Sequence, residues 1–107
     1  MDSKPVLALQ AVKADLEQAI EHYASWRSDA RNHVLDLYDQ IVHRIAANPN
    51  QFPTKYGVVQ RAILKRSYYV VYFLKDDDRS TVLAVLDGRD NPRKIRSVVR
   101  VRRTRGI

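Results

Sequence analysis

Apolar positions in the first half of the chain recur with a period near that of a helix; in the second half they alternate or run unbroken, as in strands. The opening stretch "KPVLAL", residues 4–9, reads as a short first strand. In "QAVKADLEQAIEHYAS", Val12, Leu16, Ile20 and Tyr23 follow at steps of four, four and three, which is one helical face. Asp15, Glu17 and Glu21 fall off that stripe and are expected in water. Ser25 to Ser28 is a break. Ser28 is placed to cap a second helix, with Asp29 in the first turn, where a negative charge suits the helix dipole. That helix carries Val34, Tyr38, Ile41 and Ile45, with Leu35 and Val42 widening the stripe. It must stop near Asn48, because a residue before proline disfavours the α region. "NPNQFPTKYG" then reads as a loop. Two adjacent amphipathic helices with a short join make an antiparallel helical hairpin.

Three β-rich runs follow: "VVQRAILK", "YYVVYFLK" and "STVLAVLD". Their joins, Arg66-Ser67 and Asp76 to Arg79, are short enough for an antiparallel meander. The middle run is apolar on both faces, which makes it central, with the helices covering one side. The expected fold is therefore α+β, in the order β-α-α-β-β-β: an N-terminal strand and an antiparallel helical hairpin packed on an antiparallel sheet. Leu16, Ile20, Tyr38, Ile41, Val70, Tyr72 and Val85 are expected to share one core. Residues 1–96 form a single domain in this reading, and residues 97–107 a basic C-terminal tail.

Composition changes this picture in one respect, charge. The net charge of +7 is uneven: residues 1–50 hold five basic and seven acidic side chains, residues 51–107 fourteen basic and five acidic. Seven of the fifteen residues in the closing "RKIRSVVRVRRTRGI" are Arg or Lys, and none is acidic. Such asymmetry points to a polyanionic partner, nucleic acid or an acidic protein segment, with a merely solvated basic surface as the plain alternative. The tail's valines favour an extended strand, since β-branched side chains lose rotamer freedom in helices. In that form Val99 and Val101 dock while Arg100 and Arg102 face an anion, and removal of residues 98–107 leaves the thermal midpoint nearly unchanged. The absence of Cys excludes disulfides and Cys-ligated metals. Met1 to Pro5 shows no signal-peptide build-up, and the longest uncharged apolar run, Tyr68 to Leu74, is far short of the roughly 20 residues of a membrane span. A cytoplasmic protein is expected.

Conventional catalytic patterns are missing. His22, His33 and His43 lack the i, i+4 spacing of a two-histidine metal site. Asp76-Asp77-Asp78 lacks the spaced ligands and Gly of a calcium loop and reads as a charged hairpin turn. Gly57, Gly88 and Gly106 stand alone, so there is no phosphate-cradling loop. No cofactor and no metal are expected. What remains is basic and aromatic: Arg61, Lys65, Arg66, Tyr68, Tyr69 and Tyr72 on the first two meander strands, then Arg89, Arg93, Lys94 and Arg96 after the third. Antiparallel pairing is expected to bring Arg89 toward Lys65, Arg66 and Tyr69. Such groups bind phosphates and stack on bases. Tyr68 and Tyr72 share a strand face, which can equally be core.

At these residues a family resemblance enters. "VLALQAVKADLEQAIEHYAS", with Asp15-Leu16, resembles the opening strand and helix of ParE/RelE-superfamily toxins. "IAANPNQFP" is similar to their helix end and Pro-containing loop. "RAILKRSYYVVYFL" resembles their strand pair through Arg61, Tyr68, Val70 and Tyr72, and "VLAVLDGRDNPRKI" their closing stretch through Val85, Arg89, Pro92 and Arg93. The resemblance spans roughly residues 4–96 and implies the toxin of a type II toxin–antitoxin pair, with a cognate antitoxin as partner in a hetero-oligomer. It implies one of two targets: DNA gyrase, as for ParE-like members, or the ribosome and its mRNA, as for RelE-like members. An mRNA endonuclease would use Lys65, Arg66 and Arg89. Yet Tyr69 stands where RelE-like toxins carry a catalytic Arg, Ile95 where they carry a late catalytic Tyr, and Asp87 where a His is common. The resemblance thus favours a gyrase inhibitor, which is not an enzyme, over a ribosome-dependent mRNA endonuclease, which is. A non-toxic nucleic-acid- or antitoxin-binding module is the third reading. Target or nucleic-acid contacts are expected from Arg61, Lys65, Arg66, Tyr69, Arg89, Arg93, Arg96, Arg100 and Arg102.

Overall fold

The computed structural model describes residues 3–105; the last two residues of the expected tail, 106 and 107, lie outside the described residues. β1 (Val6–Ala8) leads into α1 (Ala11–Ala24) and α2 (Ala30–Ala47). A 3-10 turn at Pro49–Gln51 precedes β2 (Thr54–Tyr56), β3 (Val59–Ile63), β4 (Tyr69–Lys75) and β5 (Ser80–Asp87), and α3 (Pro92–Arg105) closes the chain. The strands form one sheet in the order β1-β5-β4-β3-β2. The α+β layout, the helical hairpin and the β3–β5 meander are as expected from the sequence. The sheet is mixed, however: β1 runs parallel to β5, because the two helices carry the chain across to β2 at the opposite edge and the meander then returns strand by strand to β5 beside β1.

The expected order lacks two elements. β2 lies within the stretch read as a loop and pairs with β3 through a two-residue turn in which Gly57 takes a left-handed φ of 60°. The second is α3, which replaces the expected extended tail and runs through the expected domain boundary at residue 96. Its start is capped in the ordinary way. Asn91 Oδ1 accepts the Arg93 N–H at 2.9 Å, and Pro92 occupies the first helical position, where its missing N–H costs nothing. Lys94 pairs with Asp90 one turn back, at 3.0 Å.

Because α3 exists, the sheet is buried on both faces and the core is double. Ile20, Ile41, Val85, Val71 and Phe73 pack under the helical hairpin, with Leu16 and Tyr38 at its margin. Val70 and Tyr72, expected in that same core, belong to the other face, with Val59, Leu83, Ile95 and Val99. Strand alternation separates them: odd residues of β4 face the hairpin and even ones face α3. On α2 the buried stripe is Ala30, Val34, Leu37, Ile41 and Ile45, so Leu37 takes the place expected of Leu35, which is exposed. Ser28 does not cap α2. The N-cap is Asp29, whose carboxylate is engaged by Arg27 at 2.7 Å and not by the helix end.

Asp15 also departs from expectation. It is buried, and the cause lies in β5. A bulge opposite Tyr72 and Phe73 inserts Leu83, so Leu83 and Ala84 both face α3. β1 ends its pairing at Val82, which leaves the following stretch of β5 without a strand on that side. There the Val85 N–H donates to Asp15 Oδ2 at 2.9 Å, and the Leu83 carbonyl accepts from Arg102 Nη1 at 3.2 Å. Arg102 and Asp15 form a two-pronged ion pair, with Nη2 donating to Oδ1 at 2.9 Å. The pair joins α1 on one face to α3 on the other around the sheet edge.

Candidate functional site

Half of the residues of α3 are basic and none is acidic. Its helical period sorts them. Ile95 and Val99 are buried against the sheet, with Arg102 following on the same flank and turned inward to Asp15. Arg93, Arg96, Arg100 and Arg103 follow at steps of three, four and three, which gathers them within about 80° of arc on the neighbouring flank. Among the described residues none of these four pairs with a carboxylate. Arg96, Arg100 and Arg103 face the β2–β3 hairpin across a groove of 490 Å³, walled on the hairpin side by Lys55, Tyr56 and Gly57. A 280 Å³ depression beside Pro92 and Arg93, also bordered by Lys55, Tyr56 and Arg96, continues it toward the start of α3.

Tyr56 is the floor of this groove. The Arg96 guanidinium lies 5.5 Å from its ring centroid and the Lys55 ammonium 5.9 Å. Beneath it sits Tyr72, with ring centroids 5.8 Å apart. Burial, then proximity to Tyr56, pushes the Tyr72 phenol up to about 12, and Arg61, directly across in the strand register, opposes the shift. The neutral phenol is thus part of the fold. An unfolded tyrosine ionises near pH 10, so between about pH 10 and 12 the native state holds a proton that the unfolded chain has lost. Stability from this group is complete below about pH 10 and falls as pH rises through that window. Tyr72→Phe is expected to flatten that part of the slope in urea unfolding followed from pH about 9 to about 11.5. An unchanged slope would show that Tyr72 ionises normally.

A second cluster lies at the far end of β4 and β5. The Arg89 guanidinium stacks over the exposed Tyr68 ring at 4.1 Å and is held by Asp87, with Nη2 donating to Oδ2 at 2.9 Å and Nε to Oδ1 at 3.1 Å. The Arg89 hydrogen bond keeps the Asp87 carboxyl below its usual range. Gly88 makes the approach possible: its N–H donates to the Tyr68 carbonyl at 2.6 Å, and a Cβ there would meet that oxygen at 2.9 Å. Tyr69 points the other way, into the hairpin core, with His22 and Tyr23 ring centroids 6.0 and 6.2 Å from its own. Burial raises its phenol pKa.

The expected contact residues therefore separate. Arg93, Arg96 and Arg100 share the α3 groove, and Arg61 lies on the same sheet face beside Tyr72. Arg89 stands with Tyr68 at the sheet end. Lys65 and Arg66 are exposed in the β3–β4 turn, where Arg66 has a left-handed φ of 56°, and Lys65 borders a depression against α2. Tyr69 and Arg102 are turned inward. Lys55, Tyr56 and Arg103 complete the groove and are additions to the expected set; for Arg103 the signal was the helical spacing from Arg96 and Arg100. Among the described residues no group of three or more His, Asp or Glu is placed to hold a metal, and no helix is long and apolar enough to cross a membrane.

A model of the family described as ParE toxin of type II toxin–antitoxin system, parDE, matches residues 6–92. It ends on the first residue of α3. Two curated relatives, both named Toxin ParE2 and from Mycobacterium tuberculosis strains CDC 1551 / Oshkosh and ATCC 25618 / H37Rv, are 27% identical over 89 residues, 82% of this chain and 85% of theirs. A solved structure described as a chromosomal ParDE TA system from P. aeruginosa aligns with a TM-score of 0.66 at 20% identity, covering 78% of this chain and 94% of the matched one. That last likeness speaks for the fold.

Proposed function

Since the chain belongs to the ParE toxin family of type II toxin–antitoxin systems, we propose that it acts by inhibiting DNA gyrase and is neutralised by a cognate antitoxin. The observation that carries the choice of target is the burial of Tyr69 and Ile95. These occupy the positions where an mRNA-cutting relative needs an exposed Arg and Tyr. One is a phenol packed in the hairpin core and the other an alkyl group on the buried face of α3, and neither reaches a scissile phosphate. Lys65, Arg66 and Arg89 alone supply positive charge without the Arg and Tyr that complete the set in an mRNA-cutting relative. The test pairs two assays on the purified chain. Gyrase supercoiling is expected to be inhibited, and an mRNA translated in vitro is expected to stay intact. Codon-spaced cleavage of that mRNA, lost on Arg89→Ala, would assign the protein to the ribosome-dependent endonucleases instead. Addition of the antitoxin is expected to restore supercoiling.

A further inference from the structure

We propose that the α3 groove binds the phosphodiester backbone of duplex DNA directly, through Arg93, Arg96, Arg100 and Arg103. The inference goes beyond the gyrase reading and rests on the part of the chain that the family match does not cover. From Arg93 to Arg103 the helix rises about 15 Å at 1.5 Å per residue. Along one DNA strand phosphates advance about 3.4 Å each along the axis, so the stripe spans about four of them. Guanidinium forks match phosphate oxygens in two-pronged geometry, and these four have no carboxylate partner among the described residues.

The groove favours a phosphate backbone over an acidic peptide because unpaired guanidinium groups run in one row along its α3 side, with Lys55 opposite and no acidic residue among them. Val59 and Val99 are each 1% exposed, and the partly exposed Tyr56 ring is flanked by the Arg96 and Lys55 cations. Protein interfaces centre on apolar or aromatic anchors with charge at the rim, whereas protein–DNA interfaces are polar and strongly positive throughout. Guanidinium forks read phosphate oxygens and not base edges, so the contact is to backbone and independent of sequence.

The test uses the whole chain and a fluorescein-labelled random duplex of about 20 base pairs, read by fluorescence anisotropy across a salt series. Binding is expected to weaken with a slope of log K against log salt of about −3 to −4, from about 0.9 per phosphate neutralised. Arg96→Ala/Arg100→Ala is expected to reduce that slope by about 2 and the affinity at least tenfold, while Lys13→Ala/Arg79→Ala, which removes the same charge elsewhere, leaves the slope nearly as it was. Both doubles alter exposed side chains, and matched thermal midpoints confirm that they fold. Equal losses in the two doubles would reduce the effect to net charge and overturn the proposal. So would poly-glutamate competing as well as an unlabelled duplex of equal charge. No gyrase is present in this measurement, so its failure leaves the supercoiling result standing, and a chain that binds duplex without inhibiting supercoiling loses only the gyrase reading.

Discussion

Asp15→Ala is expected to cost the fold about 3–5 kcal/mol in urea unfolding, the range for removing one partner of a buried ion pair. Asp15 is 5% exposed and the Arg102 side chain 21% exposed. The substitution strands the guanidinium in a site with little water, and it strands the Val85 N–H on the side of β5 that β1 does not cover. Arg102→Ala leaves the opposite charge behind and is expected to fall in the same range. The double variant does not return to neutrality, as an isolated buried pair replaced by apolar groups often does, because the Val85 N–H and the Leu83 carbonyl still lose their partners. Asp15→Asn keeps an acceptor for Val85 and separates the backbone contribution from the charge. A cost below about 1 kcal/mol for Asp15→Ala would put the side chain in water, as its place off the apolar stripe of α1 suggested.

Deletion of residues 98–107 is expected to be more severe. It removes Val99, whose burial contributes about 1.5–3 kcal/mol, and Arg102, whose loss costs about 3–5 kcal/mol. A loss of roughly 5–8 kcal/mol is comparable to the whole stability of a small domain, about 5–15 kcal/mol. At about 4–8 °C per kcal/mol, the midpoint of a circular-dichroism melt falls by tens of degrees or the transition disappears. The face of the sheet formed by Val59, Val70, Tyr72 and Leu83 is left open to water, so the truncated chain is also expected to aggregate. An extended tail predicts the reverse, a midpoint that hardly moves, and that result would detach α3 from the fold. A truncation that unfolds the protein says nothing about function, which is why the arginine doubles carry the functional test.

Much of the fold was legible because its signals are local. The steps of Val12, Leu16, Ile20 and Tyr23, the stop at Asn48 before Pro49, and the three β-rich runs each declare an element within a few residues, and α1, α2, β3, β4 and β5 followed. α3 was legible too, but two local signals disagreed. Valines at 98, 99 and 101 favour a strand by rotamer entropy, whereas Asn91-Pro92 begins a helix and Ile95, Val98, Val99 and Arg102 keep helical spacing. The helix prevails because it lays Ile95 and Val99 on a sheet face that the hairpin leaves bare, and burial outweighs a few tenths of a kcal/mol of propensity per residue. β2 has only three residues and no apolar run, so its evidence is its pairing with β3.

The site divides along the same line. That the second half of this chain carries the charge to suit a polyanion followed from its sequence alone, since net charge survives any folding. Which arginines act together did not. A period of two joins Arg100 to Arg102; a period of 3.6 joins Arg100 to Arg96 and Arg103 and sends Arg102 inward. The choice rests on the sheet beneath α3 and on Asp15, a residue 87 positions away in sequence that waits at a strand edge left open by a bulge. Composition and local period determined most of the elements and all of the charge this protein has. Only the packing of distant segments decided which charges are structural and which are free to bind, because an ion pair across a sheet edge depends on backbone groups that no neighbouring residue in the sequence can see.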